Sequence, residues 1–443
     1  MKSVAKDKKK GLSGYYLITF LIGLGFFTMG LMDPLYDNYI PIFLKKYIDS
    51  TGVIGLIMTL DNILAIFLIP FFSALSDRTH SPIGRRMPYI LIFLPLSAIL
   101  FATIPFAALQ GLVLLVIAIF FLNIFKQAVR GPVVALMPDM IPGALRSEAN
   151  GVINTMGGLA TILGTVLLAR LMDVKLSIFG GIHDNILAYP VASIFVLIAV
   201  VLLFVFVKEK NGSYGKEAEQ TEEKEEKKVP LRQSLKEIFS EEDKSAMRIL
   251  FSLLFWFIAY QGVLPFIGLY SEEILHTSHG SAALASGMVG IAYAIFAIPS
   301  GSFAHKHGRK KTIRFCLACL VIVLTILFFH NSVTQGKSQM FRQYTFWGLL
   351  FCFGIFWVSV VTNSFPMLWQ MADYQTMGIY TGLYYFFSQL ASIIAPPITG
   401  FCMDLFGYTS LFLFAAMNML IAFFLMKGVD KGEADDEPLV VTP

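Results

Sequence analysis

Apolar runs of about twenty residues recur along the whole chain, broken by short polar segments and by glycine and proline. A run of that length crosses the hydrocarbon core of a bilayer as one helix. The pattern predicts spans at roughly 15–40, 52–75, 88–108, 112–137, 148–171 and 187–207 in the first half. In the second half it predicts them at roughly 247–270, 281–304, 312–331, 343–369, 376–400 and 408–427. Twelve crossings bring both termini to one side of the membrane.

One long polar stretch, Lys208 to Lys244, interrupts the pattern. It contains a solvated run of Lys and Glu from Lys216 to Lys228. The segment Pro230 to Phe239 then places apolar residues at helical spacing, which suggests a short interfacial helix. The expected organisation is an all-α membrane protein with twelve transmembrane helices in two pseudo-symmetric six-helix bundles. Residues 1–207 form the first bundle, 208–246 a cytoplasmic linker, 247–430 the second bundle and 431–443 a cytoplasmic tail.

Composition agrees with this pattern. Hydrophobic residues make up 56% of the 443 and charged residues only 14%, against about 25% in soluble domains. The net charge of +4 is small and gives no footprint for nucleic acid. Lys and Arg cluster in alternate loops, at Arg78/Arg85/Arg86, Arg146, Lys208–Lys244 and Lys306/Arg309/Lys310/Lys311. That bias sets those loops and both termini on the cytoplasmic side, with Lys45 and Lys46 the main exception. The basic N-terminus has no small-residue cleavage site after it, so the first span is expected to remain in the protein. Cys316, Cys319, Cys352 and Cys402 lie inside apolar runs and suit buried packing rather than a metal or redox pair. His276, His279 and His330 are expected to be solvated near the outer face. No phosphate-binding loop, zinc motif or nucleophile elbow is present, so no metal, cofactor or catalytic residue is expected.

Two features repeat between the halves. Ser73-Ala-Leu-Ser-Asp77-Arg78 leads to Gly84-Arg85-Arg86, and Gly301-Ser-Phe-Ala-His305-Lys306 leads to Gly308-Arg309-Lys310. Pro132 precedes Asp139 by seven residues, and Pro366 precedes Asp373 by the same interval. A small-residue helix start follows each, at Asn150-Gly151 and at Thr381-Gly382. Duplicated membrane bundles show such internal repeats.

The loop signature in a twelve-helix frame resembles the major facilitator superfamily over nearly the whole chain. The insertion Thr79-His-Ser-Pro-Ile83 and the segment Arg130-Gly131-Pro132 to Asp139 are similar to the glycoside–pentoside–hexuronide and sucrose–proton symporters. This sequence departs from them at three places. Val134 stands where plant sucrose carriers have an Arg, Asn123 where they have a carboxylate, and only Asp61 of a melibiose-type helix-2 pair is present. The resemblance implies a conformational latch at Asp77, Arg78, Gly84, Arg85 and Arg86, with Asp139 and Arg146 beside it and Gly308 and Arg309 in the second copy. It places Asp77 near the start of the eleventh helix, where a positive helix end favours an anion. The second copy carries His305 in place of the acid, which implies a weaker latch there.

An ionised side chain at membrane depth costs roughly 2.5–3.5 kcal/mol, so one that remains usually faces a cavity or a partner. The candidates are Asp33, Asp37, Asp61, Lys126 and Arg130, all in the first half. Asp61, Asp33 and Asp37 are candidates for cation coupling, because a carboxylate can exchange a proton and Arg cannot. Asp61 falls about 12 Å inside by helical rise, deep yet reachable. Its alternative role is a static ion pair with Lys126 or Arg130. Asp37 lies nearer the outer water. Arg130 is either a substrate contact or a partner of Glu148 or Asp139.

The second half offers amides and aromatics instead. With Asn123, Lys126, Arg130 and Asn154, the candidate substrate contacts are Tyr260, Gln261, Trp357, Asn363, Tyr384 and Gln389, and Tyr293 and Tyr380 lie on the same helices. Amides bond hydroxyls and aromatic faces stack on sugar C–H surfaces. The sequence therefore points to a monomeric plasma-membrane transporter of a glycoside, coupled to a proton, with its site between the bundles near the midplane. Sodium coupling and export of a drug or metabolite are the alternatives within transport. A membrane enzyme would need a nucleophile or metal set, and a sensor would need a folded output domain.

Overall fold

The structure, a computed structural model, describes residues 15–141, 146–178, 180–209, 244–371 and 377–432. The interfacial helix expected at Pro230–Phe239, most of the linker and the two terminal segments lie outside the described residues.

Among the described residues, twelve helices are long and apolar enough to cross a membrane. In the first half they are α1 (Tyr16–Lys45), α2 (Thr51–Asp77), α3 (Met87–Gln110), α4 (Leu112–Met140), α5 (Arg146–Ile162) and α6 (Ala188–Phe206). In the second half α7 begins at Ser245–Val263 and its span runs to Glu273. It is followed by α8 (His279–His307), α9 (Arg309–Thr334), α10 (Gln339–Trp369), α11 (Met377–Phe406) and α12 (Ser410–Lys427).

Local sequence explains the helix ends. Ser50, Ser278 and Ser338 accept hydrogen bonds from the main-chain N–H groups of Val53, Ser281 and Phe341, the expected N-cap geometry. A single residue, Gly308 at φ +90°, separates α8 from α9. α1 continues past its expected end because Pro41 is followed by apolar Ile42, Phe43 and Leu44, all buried. α5 does not end as a regular helix. Its last turns wind as a π-turn over Leu163–Leu167 and a 3-10 segment over Leu168–Asp173. A short antiparallel hairpin, β1 (Leu176–Ile178) with β2 (Gly181–His183), follows it. The sequence reading had no strand here, since three residues per strand carry too little pattern to detect.

The chain divides into two packed units. The first holds the chain up to Tyr47 and the stretch from Leu60 through α6; the second holds Ile48–Thr59 and α7–α12. α2 therefore contributes to both: Thr51–Met58 packs on α11, and Leu60–Asp77 packs on α4.

In the first unit α1 lies against α5, and α3 lies against α4 and α6. Ile22, Val129, Val133, Leu136, Ile153 and Leu203 form its buried core. A Cβ on Gly30 would collide with the backbone of Gly157, so small residues permit the α1–α5 approach. In the second unit α7 packs on α11 and α12, and α8 and α9 pack on α10. The first turn of α2 is held there by Asp404 at the end of α11. Its carboxylate accepts from the N–H groups of Thr51 (2.7 Å) and Gly52 (3.1 Å) and from the hydroxyls of Ser50 (2.5 Å) and Thr51 (2.6 Å).

Candidate functional site

The first unit gathers charge on α1, α2 and α4. Lys126 Nζ donates to Asp33 Oδ1 at 2.9 Å and lies 4.5 Å from the centre of the Tyr36 ring. Asn123 Nδ2 donates to the Tyr36 hydroxyl at 2.8 Å. Asp33, Asp37 and Asp61 all lie within Coulombic reach of both Lys126 and Arg130. Lys126 and Asn123 are buried, whereas Asp33, Asp37 and Asp61 are half-buried and Arg130 is exposed. Three oxygen atoms here, Asp61 Oδ1, Asn123 Oδ1 and Gln127 Oε1, are buried and accept no hydrogen bond among the described residues. Buried acceptors are normally satisfied, so these are places where a proton or a ligand donor would gain most.

Helical geometry explains the grouping. Asp33, Tyr36 and Asp37 share one face of α1 at spacings of three and four, and Asn123, Lys126, Gln127 and Arg130 do the same on α4. The expected ion-pair alternative for Asp61 is not the pair that forms: Lys126 bonds Asp33. Asp37, expected in outer water, belongs to the same half-buried group. Asn154 stands apart, exposed on α5 with Nδ2 donating to the Asn150 carbonyl. Tyr36 and Gln127 were missed by the sequence reading. Their spacing from Asp33 and Lys126 was the available signal.

The second unit gathers aromatic rings on α7, α10 and α11. Tyr260 stacks on Trp357 with centroids 4.3 Å apart and planes 7° from parallel, and Phe353 extends the stack. Phe257 meets both Trp357 and Tyr384 edge-on. Gln261 Nε2 donates to Ser392 Oγ at 2.5 Å, and half-buried Gln389 lies about one helical turn from Ser392 on the same face. Asn363 is otherwise engaged: its amide donates to the main-chain carbonyls of Ser359 and Ser300, which ties α10 to α8. Tyr380 is buried and Tyr293 is 40% exposed. His330, expected to be solvated, is buried instead and shares a hydrogen bond with Thr345. His279, also expected in water, pairs with Glu272 at 2.5 Å.

A third group lies at the α2–α3 loop. Arg85 and Arg86 both bond the Asp139 carboxylate at the end of α4, at 2.6–2.9 Å. Arg86 also donates to Asp77, to Ser76 Oγ and to the Ser73 carbonyl. This settles the open partner of Asp139, which is the loop and not Arg130. Glu209, just past α6, accepts from the N–H groups of Arg85, Arg86 and Met87 at 2.8–3.0 Å and so caps α3. Gly84 is required there, because its φ is +115° and a Cβ would overlap the Glu209 carboxylate. Arg78 is exposed. The side chains of Arg146 and of the first residues of α11, where Asp77 was expected to dock, lie outside what is described. Glu209 was missed because it opens a polar run that otherwise reads as linker.

The model of the Major Facilitator Superfamily matches residues 16–393 and 272–439. The chain belongs to the major facilitator superfamily. No curated protein matches the sequence. Among solved structures, a bacterial homologue of the iron transporter ferroportin in its inward-facing state superposes with TM-score 0.70 at 12% identity, over 94% of this chain and 100% of that one. A D-xylose–proton symporter superposes with TM-score 0.64 at 14% identity, over 95% and 99%. A nucleoside transporter superposes with TM-score 0.64 at 11% identity, over 93% and 100%. At these identities the likeness shows the fold alone. As a major facilitator, the protein is a multi-pass membrane transporter of a small molecule and not an enzyme.

Proposed function

We propose that this major facilitator takes up a sugar, a glycoside or disaccharide, together with a proton. The observation that carries the reading is the group of three carboxylates around Lys126 and Arg130, with one Asp61 oxygen buried and unpartnered. An unpaired buried carboxylate oxygen is costly, and a proton removes the cost. Three acids against two bases leave one negative charge, which one proton neutralises. Asp33 is held by Lys126, so Asp61 is assigned as the exchanging group, with Asp33 and Asp37 setting its field.

The aromatic group of the second unit supports the sugar assignment. The stacked rings of Tyr260 and Trp357 offer a flat apolar face, and Gln261 and Gln389 supply amides for hydroxyls. The fold likeness to a D-xylose–proton symporter is compatible with this reading. The basic loops are assigned to the cytoplasm of a plasma-membrane protein with both termini inside, acting as a monomer. The network at Asp77, Arg85, Arg86 and Asp139 is assigned as the conformational latch, with Gly308 and Arg309 its second copy.

The test is uptake of a panel of labelled sugars by the full-length protein in vesicles, under a pH gradient or a sodium gradient imposed separately. The expected result is accumulation driven by the pH gradient, abolished in Asp61→Asn while downhill exchange persists. Uphill accumulation by Asp61→Asn would remove Asp61 from the coupling role. Accumulation driven only by sodium would replace the proton, and no sugar uptake under either gradient would end the sugar reading.

A further inference from the structure

A cavity of about 300 Å³ opens where α6 ends against the α2–α3 loop, lined by Pro82, Ile83, Met87, Phe204, Val207 and Lys208, with Glu209 at its edge. Its walls mix apolar side chains with the polar groups of Lys208 and Glu209, and exposed Ile83 and Phe204 border the outer surface of α6. That surface includes Val205 and Phe206, large side chains 47% and 58% exposed on a helix that crosses a membrane. Such a surface faces lipid tails. The cavity therefore sits at the rim of the bilayer, where tails give way to headgroups.

The polar groups at the rim decide what fits. The Lys208 ammonium lies 5.8 Å from the centre of the Phe204 ring, and no carboxylate among the described residues pairs with it. Glu209 does not cancel it, because its carboxylate is 7% exposed and already accepts three main-chain N–H groups. Asp77 is turned to Arg86, and Asp139 to Arg85 and Arg86. Among the described residues the rim thus presents an available cation and no available anion. An ammonium headgroup would find no acceptor, whereas a phosphate with a neutral substituent would meet Lys208.

We propose that this cavity seats the headgroup of an anionic phospholipid from the leaflet on the loop side, with the phosphate on Lys208 and the upper acyl chain along Ile83 and Phe204. The site is distinct from the transport groups on α1, α2 and α4, and it does not depend on which substrate is carried. Because Glu209 both edges the cavity and caps α3, an occupied site also bears on the loop network.

The test uses the full-length protein in neutral detergent, with phosphatidylglycerol, phosphatidylcholine or inorganic phosphate added and bound lipid counted by native mass spectrometry. The wild type is expected to retain phosphatidylglycerol in preference to phosphatidylcholine, and inorganic phosphate not to compete at equal concentration. Lys208→Ala should lose about five-fold in phosphatidylglycerol affinity, and Lys208→Arg should keep it. Lys46 serves as the control, since it is an equally exposed lysine 5.8 Å from the Phe43 ring with no described cavity beside it. Lys46→Ala should leave retention unchanged. Equal retention in wild type and Lys208→Ala, or an equal loss in Lys46→Ala, would overturn the site and leave only diffuse surface attraction.

Discussion

The two copies of the repeated loop share a frame and differ in how they are closed. Each has a glycine at positive φ just before its basic residues, Gly84 at +115° and Gly308 at +90°. In the first copy the basic side chains turn inward. Arg86 is 5% exposed and Asp139 12% exposed, and the backbone beside them is capped by buried Glu209. In the second copy Arg309 donates to the Pro366 carbonyl at 3.3 Å, and Lys310 reaches an Asp430 that is 76% exposed. Among the described residues the first copy thus shows a desolvated network, and the second shows an exposed pair between Lys310 and Asp430. Buried pairs are expensive to break and surface pairs contribute little. Charge-dependent rigidity is therefore expected from the described network of the first copy.

The sharpest way to break this comparison is Asp139→Asn. The substitution leaves Arg86 buried with one fewer carboxylate and removes the bidentate partner of Arg85. Removing one member of a buried pair costs about 3 kcal/mol. Thermal unfolding of the purified protein should show a clear fall in Tm, larger than for Asp430→Asn in the second copy. An unchanged Tm would mean that Asp77, Ser73 and Ser76 satisfy Arg86 by themselves.

Much of this architecture was legible beforehand. Spans expected at roughly 88–108 and 112–137 became Met87–Gln110 and Leu112–Met140, because the length of an apolar run is set by the bilayer and not by tertiary detail. The intramembrane charges were legible for the same reason: a polar residue in an apolar run stands out. What stayed hidden was pairing. Nothing in the sequence says that Lys126 bonds Asp33 rather than Asp61, or that Asn363 is consumed by carbonyls of α8 and its own helix. Glu209 was hidden by its neighbours, since a capping carboxylate among many Lys and Glu looks like solvated linker. The division of α2 at Thr59 was hidden too. It depends on Asp404, some 350 residues away in the chain, binding the first turn of α2.

A second measurement separates the glycines. Gly84→Ala combines backbone strain with displacement of the Glu209 carboxylate, and Gly308→Ala also strains a backbone at positive φ. Strain of this kind costs on the order of 1–3 kcal/mol. Gly84→Ala should therefore lower Tm by more than backbone strain alone would. Adding Glu209→Ala to Gly84→Ala should cost less than the sum of the two single changes, because the clash disappears with the carboxylate. Strict additivity would show that Glu209 does not hold the loop through Gly84.

The smallest effect belongs to the solvated tether. Lys310 and Asp430 approach to 3.2 Å, with side chains 23% and 76% exposed. Water already solvates most of the carboxylate, so the pair gains little by forming and loses side-chain entropy. Asp430→Asn should change stability by no more than about 0.5 kcal/mol, and that change should vanish as salt is raised, since screening acts fully on exposed charges. The Asp139→Asn loss should persist in the same salt series, because the Arg86 pair is shielded from counterions. The comparison between the copies therefore rests on salt dependence as much as on size. If Asp430→Asn proved as costly and as salt-resistant as Asp139→Asn, the second copy would be closed as tightly as the first, and the asymmetry drawn from burial would fail.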